Sequence, residues 1–182
     1  GPDISAIPSI ALKQVEVLRD GAAAQYGSDA IAGIMNFVYK DNSEGTQIEI
    51  RSGEYSDGDG DMYRVAANIG MPFTANGFAN VSVELQDTDP TSRSQQRGDA
   101  QALYDGGNAA IWNYPNPAQV WGSPEVSDDV KLVANIGLEL DANKEFYLFG
   151  NYAERKVLGG FFFRNPTNRG GIFSTDGGAT RL

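Results

Sequence analysis

Between residues 46 and 155 the chain alternates apolar and polar side chains in separate runs of roughly ten residues, the length of a strand that crosses a bilayer. In residues 47–52, Ile48 and Ile50 alternate with Gln47, Glu49 and Arg51. In residues 63–70, Tyr63, Val65, Ala67 and Ile69 alternate with Arg64, Ala66, Asn68 and Gly70. In residues 79–86, Val81, Val83 and Leu85 alternate with Asn80, Ser82, Glu84 and Gln86. In residues 131–140, Leu132, Ala134, Ile136, Leu138 and Leu140 alternate with Lys131, Asn135, Gly137 and Glu139. A fifth run, residues 145–155, is more aromatic, with Phe146, Leu148 and Tyr152 on one face and Tyr147 and Phe149 on the other. Successive side chains of a strand point to opposite faces. Each run therefore predicts a strand with one apolar face and one small, polar or charged face, which suits a barrel wall that is greasy outside and wet inside.

The connections alternate as well. Residues 57–61 predict a moderate loop and residues 71–77 a short turn. Residues 88–129 predict a very long loop, residues 141–144 a short turn, and the chain from Leu158 a long loop again. Short turns on one rim and long loops on the other are the pattern of outer-membrane barrels, with the long loops outside the cell. A soluble β-sandwich also alternates, but its loops tend to be short at both ends.

The N-terminal residues read differently. Val15-Glu16-Val17-Leu18-Arg19 alternates like a half-buried strand, and Asp20-Gly21 breaks it. Residues 22–26 have room for about one helical turn before Gly27-Ser28-Asp29 interrupts again. Residues 31–39 are nearly all apolar, with Asn36 the one polar interruption, as expected for a strand covered on both faces. The order EVLRDG, QYGSDAIAG, NFVYK resembles the last part of the plug domain in TonB-dependent outer-membrane receptors. The match is dense over residues 7–40 and looser in the strands that follow. Residues 41–45, Asp-Asn-Ser-Glu-Gly, form a polar linker.

The resemblance implies a mainly β chain: the C-terminal piece of an α/β plug over residues 1–40, then about five antiparallel strands of an incomplete transmembrane β-barrel over residues 41–182. It implies a receptor in the outer membrane of a Gram-negative bacterium that imports a scarce nutrient of the siderophore, cobalamin or glycan class. The process is ligand binding and plug-gated passage, with no bond made or broken. The implied partners are outer-membrane lipid, a small nutrient ligand and the TonB energy-transducing complex, the last through a TonB box missing from this chain. Glu16 and Arg19 look like plug charges that would meet the inner barrel wall. Gly21, Gly27 and Gly33 look like close-packing hinges, and Tyr26 and Asn36 like packing and hydrogen-bonding positions. The start at Gly1-Pro2-Asp3-Ile4 and the end at Thr180-Arg181-Leu182 read as cuts from something longer, with no signal peptide in between. The alternative is a secreted or surface-exposed β-rich binding module, adhesin-like.

Composition narrows the chemistry. The net charge of −10, from 24 acids against 14 bases, argues against nucleic-acid binding, which needs a basic face. Its acids gather in segments that read as solvated loops: residues 54–61, 87–89 and 125–129. Histidine and cysteine are absent, which removes disulfides, thiolate metal sites and the usual nucleophile–base pairs. No catalytic residues, cofactor or metal ligands are expected. No run approaches the roughly 18 apolar residues of a membrane helix.

Within the long loop, Gln96, Arg97, Trp112, Tyr114 and Trp121 are candidates for a ligand lid. Other motifs are weaker. Asp57-Gly58-Asp59-Gly60-Asp61 begins like a calcium loop, but Met62 and Asn68 stand where the turn glycine and the bidentate acid belong. Asn80-Val81-Ser82 fits a glycosylation sequon in mid-strand, and the paired glycines 159–160, 170–171 and 177–178 lack the context of a phosphate cradle. Phe161-Phe162-Phe163 reads as an aromatic girdle at a membrane rim.

Overall fold

The structure is a computed structural model, and it describes residues 3–19, 33–108, 111, 117 and 121–160. Two 3-10 turns come first, Ile4–Ala6 and Ser9–Ala11. Asp3 caps the first turn, its Oδ1 accepting from Ser5 N at 2.9 Å. Pro8 precedes the second, where its fixed φ and missing N–H cost nothing. Strands β1 (Leu12–Arg19) and β2 (Gly33–Tyr39) then pair antiparallel, with Val15 opposite Phe37 and Glu16 opposite Asn36. Gly33 ends this ladder at φ +139, and a Cβ there would stand 2.7 Å from Leu18 O, so the strands close only on glycine.

Residues 31–39 were expected to be covered on both faces. The two-stranded sheet contains only β1 and β2, and Met35 is 59% exposed. With one neighbouring strand and no described layer on its outer side, β2 is half-covered at most.

All five alternating runs form strands: β3 (Thr46–Gly53), β4 (Met62–Pro72), β5 (Gly77–Thr88), β6 (Glu125–Asp141) and β7 (Lys144–Leu158). They form one five-stranded antiparallel sheet in chain order, an unclosed arc. Its tight turns have clear local causes. Thr74 adopts φ +65 between β4 and β5, where Phe73 N donates to Gly77 O at 3.1 Å. Asp141 Oδ1 accepts from Asn143 N at 2.9 Å and so folds the β6–β7 turn.

Two expectations for residues 88–129 are corrected. The segment carries a helix, α1 (Gly98–Asp105), and its last residues are already strand, since β6 starts at Glu125. The acids 125–129 read as loop by composition. Asp129, however, is 3% exposed and bound by Arg155, a partner 26 positions away that no local reading supplies.

The chain divides into two compact units. One gathers Gly1–Ser52, Met62–Asp87 and Ser127–Lys156; the other gathers Gly53–Asp61, Thr88–Val126 and Val157–Leu182. The first holds an inverted interior. Along β4, Arg64, Ala66, Asn68 and Gly70 are buried while Tyr63, Val65 and Ile69 are exposed. Along β5, Asn80, Ser82 and Glu84 are buried while Val81 and Leu85 are exposed. Along β6 the buried positions include Asp129, Lys131, Val133 and Asn135, and Leu132 is exposed. Leaving this apolar face uncovered is unfavourable in water and favourable in hydrocarbon.

Candidate functional site

The inner face of the sheet is where sequence-distant groups converge. Glu84, 3% exposed, lies between two buried cations. Its Oε2 accepts from Arg64 Nε at 2.9 Å and also from Arg64 Nη2, and its Oε1 accepts from Lys131 Nζ at 2.7 Å. Arg64 further donates to Glu49 Oε2 at 3.2 Å. The fork of the guanidinium suits this shared geometry, and the direct hydrogen bonds offset part of the cost of desolvating the charges. The same Arg64 reaches Ser9 Oγ at 2.8 Å, which joins the second 3-10 turn to the wall.

A second cluster lies further along. Asp129 Oδ2 accepts from Arg155 Nε at 3.0 Å, with Lys131 Nζ 3.6 Å away. Arg155 Nη1 also donates to Ser5 Oγ at 3.3 Å. Ser5 in turn donates to Asp3 Oδ1 at 2.6 Å, and the two Ser5 hydrogen bonds hold the Asp3 carboxyl below its ordinary value.

Between these clusters and the tight turns, the inner face carries amides. Asn68 Nδ2 donates to Asn80 Oδ1 and, at 2.8 Å, to Ser82 Oγ. Asn80 Nδ2 donates to Asn42 Oδ1 at 2.9 Å, and Asn135 Nδ2 to Lys40 O at 3.0 Å. The linker after β2 is thus laid along the wall. Gly70 makes room for it: a Cβ there would stand 2.5 Å from Asn42 O.

Beside Asn135 a cavity of about 410 Å³ opens between β2 and the sheet. Tyr39, Phe78, Tyr147 and Phe149 wall it, the Tyr39 and Phe149 rings lying 6.1 Å apart and those of Tyr147 and Phe149 5.8 Å apart. Burial, followed by the neighbouring Tyr147, pushes the Tyr39 phenol above its ordinary value.

The second unit ties two connections together. Arg93 binds Asp57 Oδ2 at 2.8 Å, Asp59 Oδ1 at 3.0 Å, and Asp59 Oδ2. Arg93 N also donates to Trp121 O at 2.7 Å, and Ser94 Oγ accepts from Trp121 N at 2.9 Å. The aspartates that resembled the start of a calcium loop are therefore met by a guanidinium. Among the described residues no cluster of acids is arranged to hold a metal ion.

The expected site residues divide clearly. Glu16 accepts from Asn36 Nδ2 at 3.0 Å and from Gln14, so its described hydrogen bonds lie within the hairpin. Arg19 is exposed at the end of β1. Ser5 and Ser9, which the sequence did not single out, make the wall contacts instead. Arg97 stands at the N-cap position of α1 without a side-chain capping hydrogen bond and pairs with Asp99 at 3.0 Å, Gln96 is half-buried, and Trp121 is 47% exposed. Gly21, Tyr26, Gly27, Trp112 and Tyr114 lie outside the described residues, as do the helical turn at 22–26, Phe161-Phe162-Phe163 and the glycines 170–171 and 177–178. Glu84, Arg64 and Lys131 could have been marked from sequence as charges on inward positions of alternating strands.

The TonB-dependent receptor plug domain matches residues 1–34. The chain is also similar to the vitamin B12 transporter BtuB of Photobacterium profundum, at 27% identity over 94 residues. That match covers 52% of this chain and 15% of the relative. No solved structure matches the chain.

Proposed function

With the chain identified as part of a TonB-dependent receptor, we propose that it supplies the closing end of a plug and the first wall strands of an outer-membrane nutrient importer. In this reading residues 1–40 belong to the plug and residues 41–182 to the barrel, with TonB as the energising partner. The observation that carries it is the inverted burial: Arg64, Glu84 and Lys131 sealed on the inner face, Val65, Val81, Leu85 and Leu132 bare on the outer. A wall with lipid outside and a polar plug inside would stabilise both faces at once. The imported compound is a scarce nutrient of the siderophore, cobalamin or glycan class, and the relative's name favours cobalamin. The lid candidates Gln96, Arg97, Trp112, Tyr114 and Trp121 would contact it from the long β5–β6 connection. Plug hinging would fall to Gly21, Gly27 and Gly33, with Glu16, Arg19, Tyr26 and Asn36 supporting the motif.

The test is uptake of labelled cobalamin, ferric siderophores and oligosaccharides by cells with and without this receptor. Uptake of one class should fall to background when either the receptor or TonB is deleted. Unchanged uptake of all three in both deletions would overturn the proposal.

A further inference from the structure

We propose that Lys131 is a positioning residue that couples the two points where the N-terminal segment meets the sheet, so that loosening one loosens the other. At the first point Ser5 Oγ accepts from Arg155 at 3.3 Å, and at the second Ser9 Oγ accepts from Arg64 at 2.8 Å. The two arginines belong to β7 and β4, yet an unbroken series of alternating charges joins them. Arg155 donates to Asp129 at 3.0 Å, Lys131 Nζ lies 3.6 Å from Asp129 and 2.7 Å from Glu84, and Glu84 accepts from Arg64 at 2.9 Å. Lys131 is the cation that both carboxylates share. The side chains of Asp129, Lys131, Glu84 and Arg64 are all under a tenth exposed, so their charges act on one another with little screening.

Lys131 sits off centre between its two carboxylates. Glu84 Oε1 takes one of its three N–H donors at hydrogen-bond distance, while the 3.6 Å to Asp129 is an ion pair without a hydrogen bond. Asp129 Oδ1 is buried and has no hydrogen-bond partner among the described residues, so Asp129 depends on Arg155 for its hydrogen bonds. Arg155, by contrast, keeps 33% of its side chain exposed. With Ser5 docked, Arg155 stays on Asp129 and Lys131 stays on Glu84. When Ser5 leaves, Arg155 turns to water and Asp129 draws Lys131 across, a shift of about 1 Å to hydrogen-bond distance. Glu84 then turns both oxygens onto Arg64, whose Nη2 had been shared between Glu84 and Ser9, and Ser9 is released. Coupling between two sites is reciprocal, so loss of Ser9 loosens Ser5 by the same factor. The device depends on these contacts and not on which compound the receptor imports.

The experiment follows hydrogen exchange in the intact receptor in detergent, at the amides of Ala6 and Ile7 for the first 3-10 turn and of Ala11 for the second, each of which donates within its own turn. Ser9→Ala should speed exchange at Ala11 by about fivefold or more, through the lost bond to a charged donor, and at Ala6 and Ile7 by about twofold or more. Ser5→Ala should do the same in the other direction. Lys131→Met should confine each effect to its own turn, and it leaves Arg64 on Glu84 and Arg155 on Asp129, so each carboxylate keeps a cation. Asp129→Asn cuts the series on the other side of the ammonium, should confine the effects likewise, and decides the matter if Lys131→Met does not fold. A Lys131 with a purely structural role would raise exchange in both turns when replaced and leave the cross-effect intact. Cross-effects that persist in either variant would overturn the proposal, because the chain itself would then carry them, and so would their absence from the parent.

Discussion

Arg64 on β4 and Ser9 in the second 3-10 turn, 55 positions apart, meet at 2.8 Å on the inner face of the sheet. Through that guanidinium the N-terminal segment shares the ion network of the wall, because Arg64 is at the same time the partner of Glu84 and Glu49. The hairpin is therefore joined to the sheet by a side chain whose own position depends on two carboxylates.

Glu84 is the hub of that network, and Glu84→Gln is expected to destabilise the receptor by about 3–5 kcal/mol, since Arg64 and Lys131 would remain buried without full compensation. Replacing the three together by Met or Leu should recover much of the loss. Unfolding of the purified receptor in detergent measures both. A single variant within about 0.5 kcal/mol of the parent would mean the network is hydrated and dispensable.

Val81, Val83 and Leu85 share the outer face of β5. Arg at each in turn should cost up to about 2–4 kcal/mol, greatest at the bilayer midplane and falling toward either end. Reversible unfolding in lipid gives the profile, and a flat profile would remove the lipid from that face. Ser82, on the polar side of the same run, is sealed at 1% exposure under Asn68, so Ser82→Arg should be costly too.

Topology is testable with single cysteines, because residues 1–182 contain none. Gln95 is exposed in the long β5–β6 connection, whereas Ser94 is half-buried and hydrogen-bonded to Trp121 N. In a receptor freed of other cysteines, Gln95→Cys should react with an impermeant maleimide on intact cells. Asn143→Cys, in the short β6–β7 turn, should react only after the outer membrane is opened. The reverse order would invert the barrel.

The Arg93 tie should respond to acid. Its hydrogen bond to Asp59 holds that carboxyl below the ordinary value of 3.8, ahead of the smaller contribution from Ser92 N. A depressed carboxyl pKa stabilises above its unfolded value and loses that contribution as pH falls through the folded one. The tie is thus intact at neutral pH and is lost below the usual carboxylate range. Hydrogen exchange in residues 54–61 and 88–94 should rise there, and Arg93→Ala should show the raised exchange already at neutral pH. Equal protection in parent and variant would disprove the tie.

The faces of the strands were legible from sequence because a period of two is enforced residue by residue: Arg64, Glu84 and Lys131 all fall on the polar side of their runs and are all buried. Which of them pair was not legible, since the contacts span 20 and 47 positions and depend on sheet register. The acids at 125–129 misled for a similar reason. Local composition reads Asp-rich sequence as solvated, while Arg155 on the neighbouring strand neutralises Asp129. Asn42 carried no signal beyond turn-forming polarity, yet its side chain and carbonyl are both held by Asn80.

That hold has a mechanical consequence. Residues 40–47 are fastened by Asn135 at Lys40 O, by Asn80 at Asn42, by Gly70 N at Gly45 O, and by the Lys40–Gln47 contact. Tension on the hairpin from its N-terminal side is delivered to this short lane as shear, shared across fastenings that must fail nearly together. The lane behaves as a mooring, and displacement of the hairpin begins at the far end, where the Ser5 and Ser9 contacts can break singly.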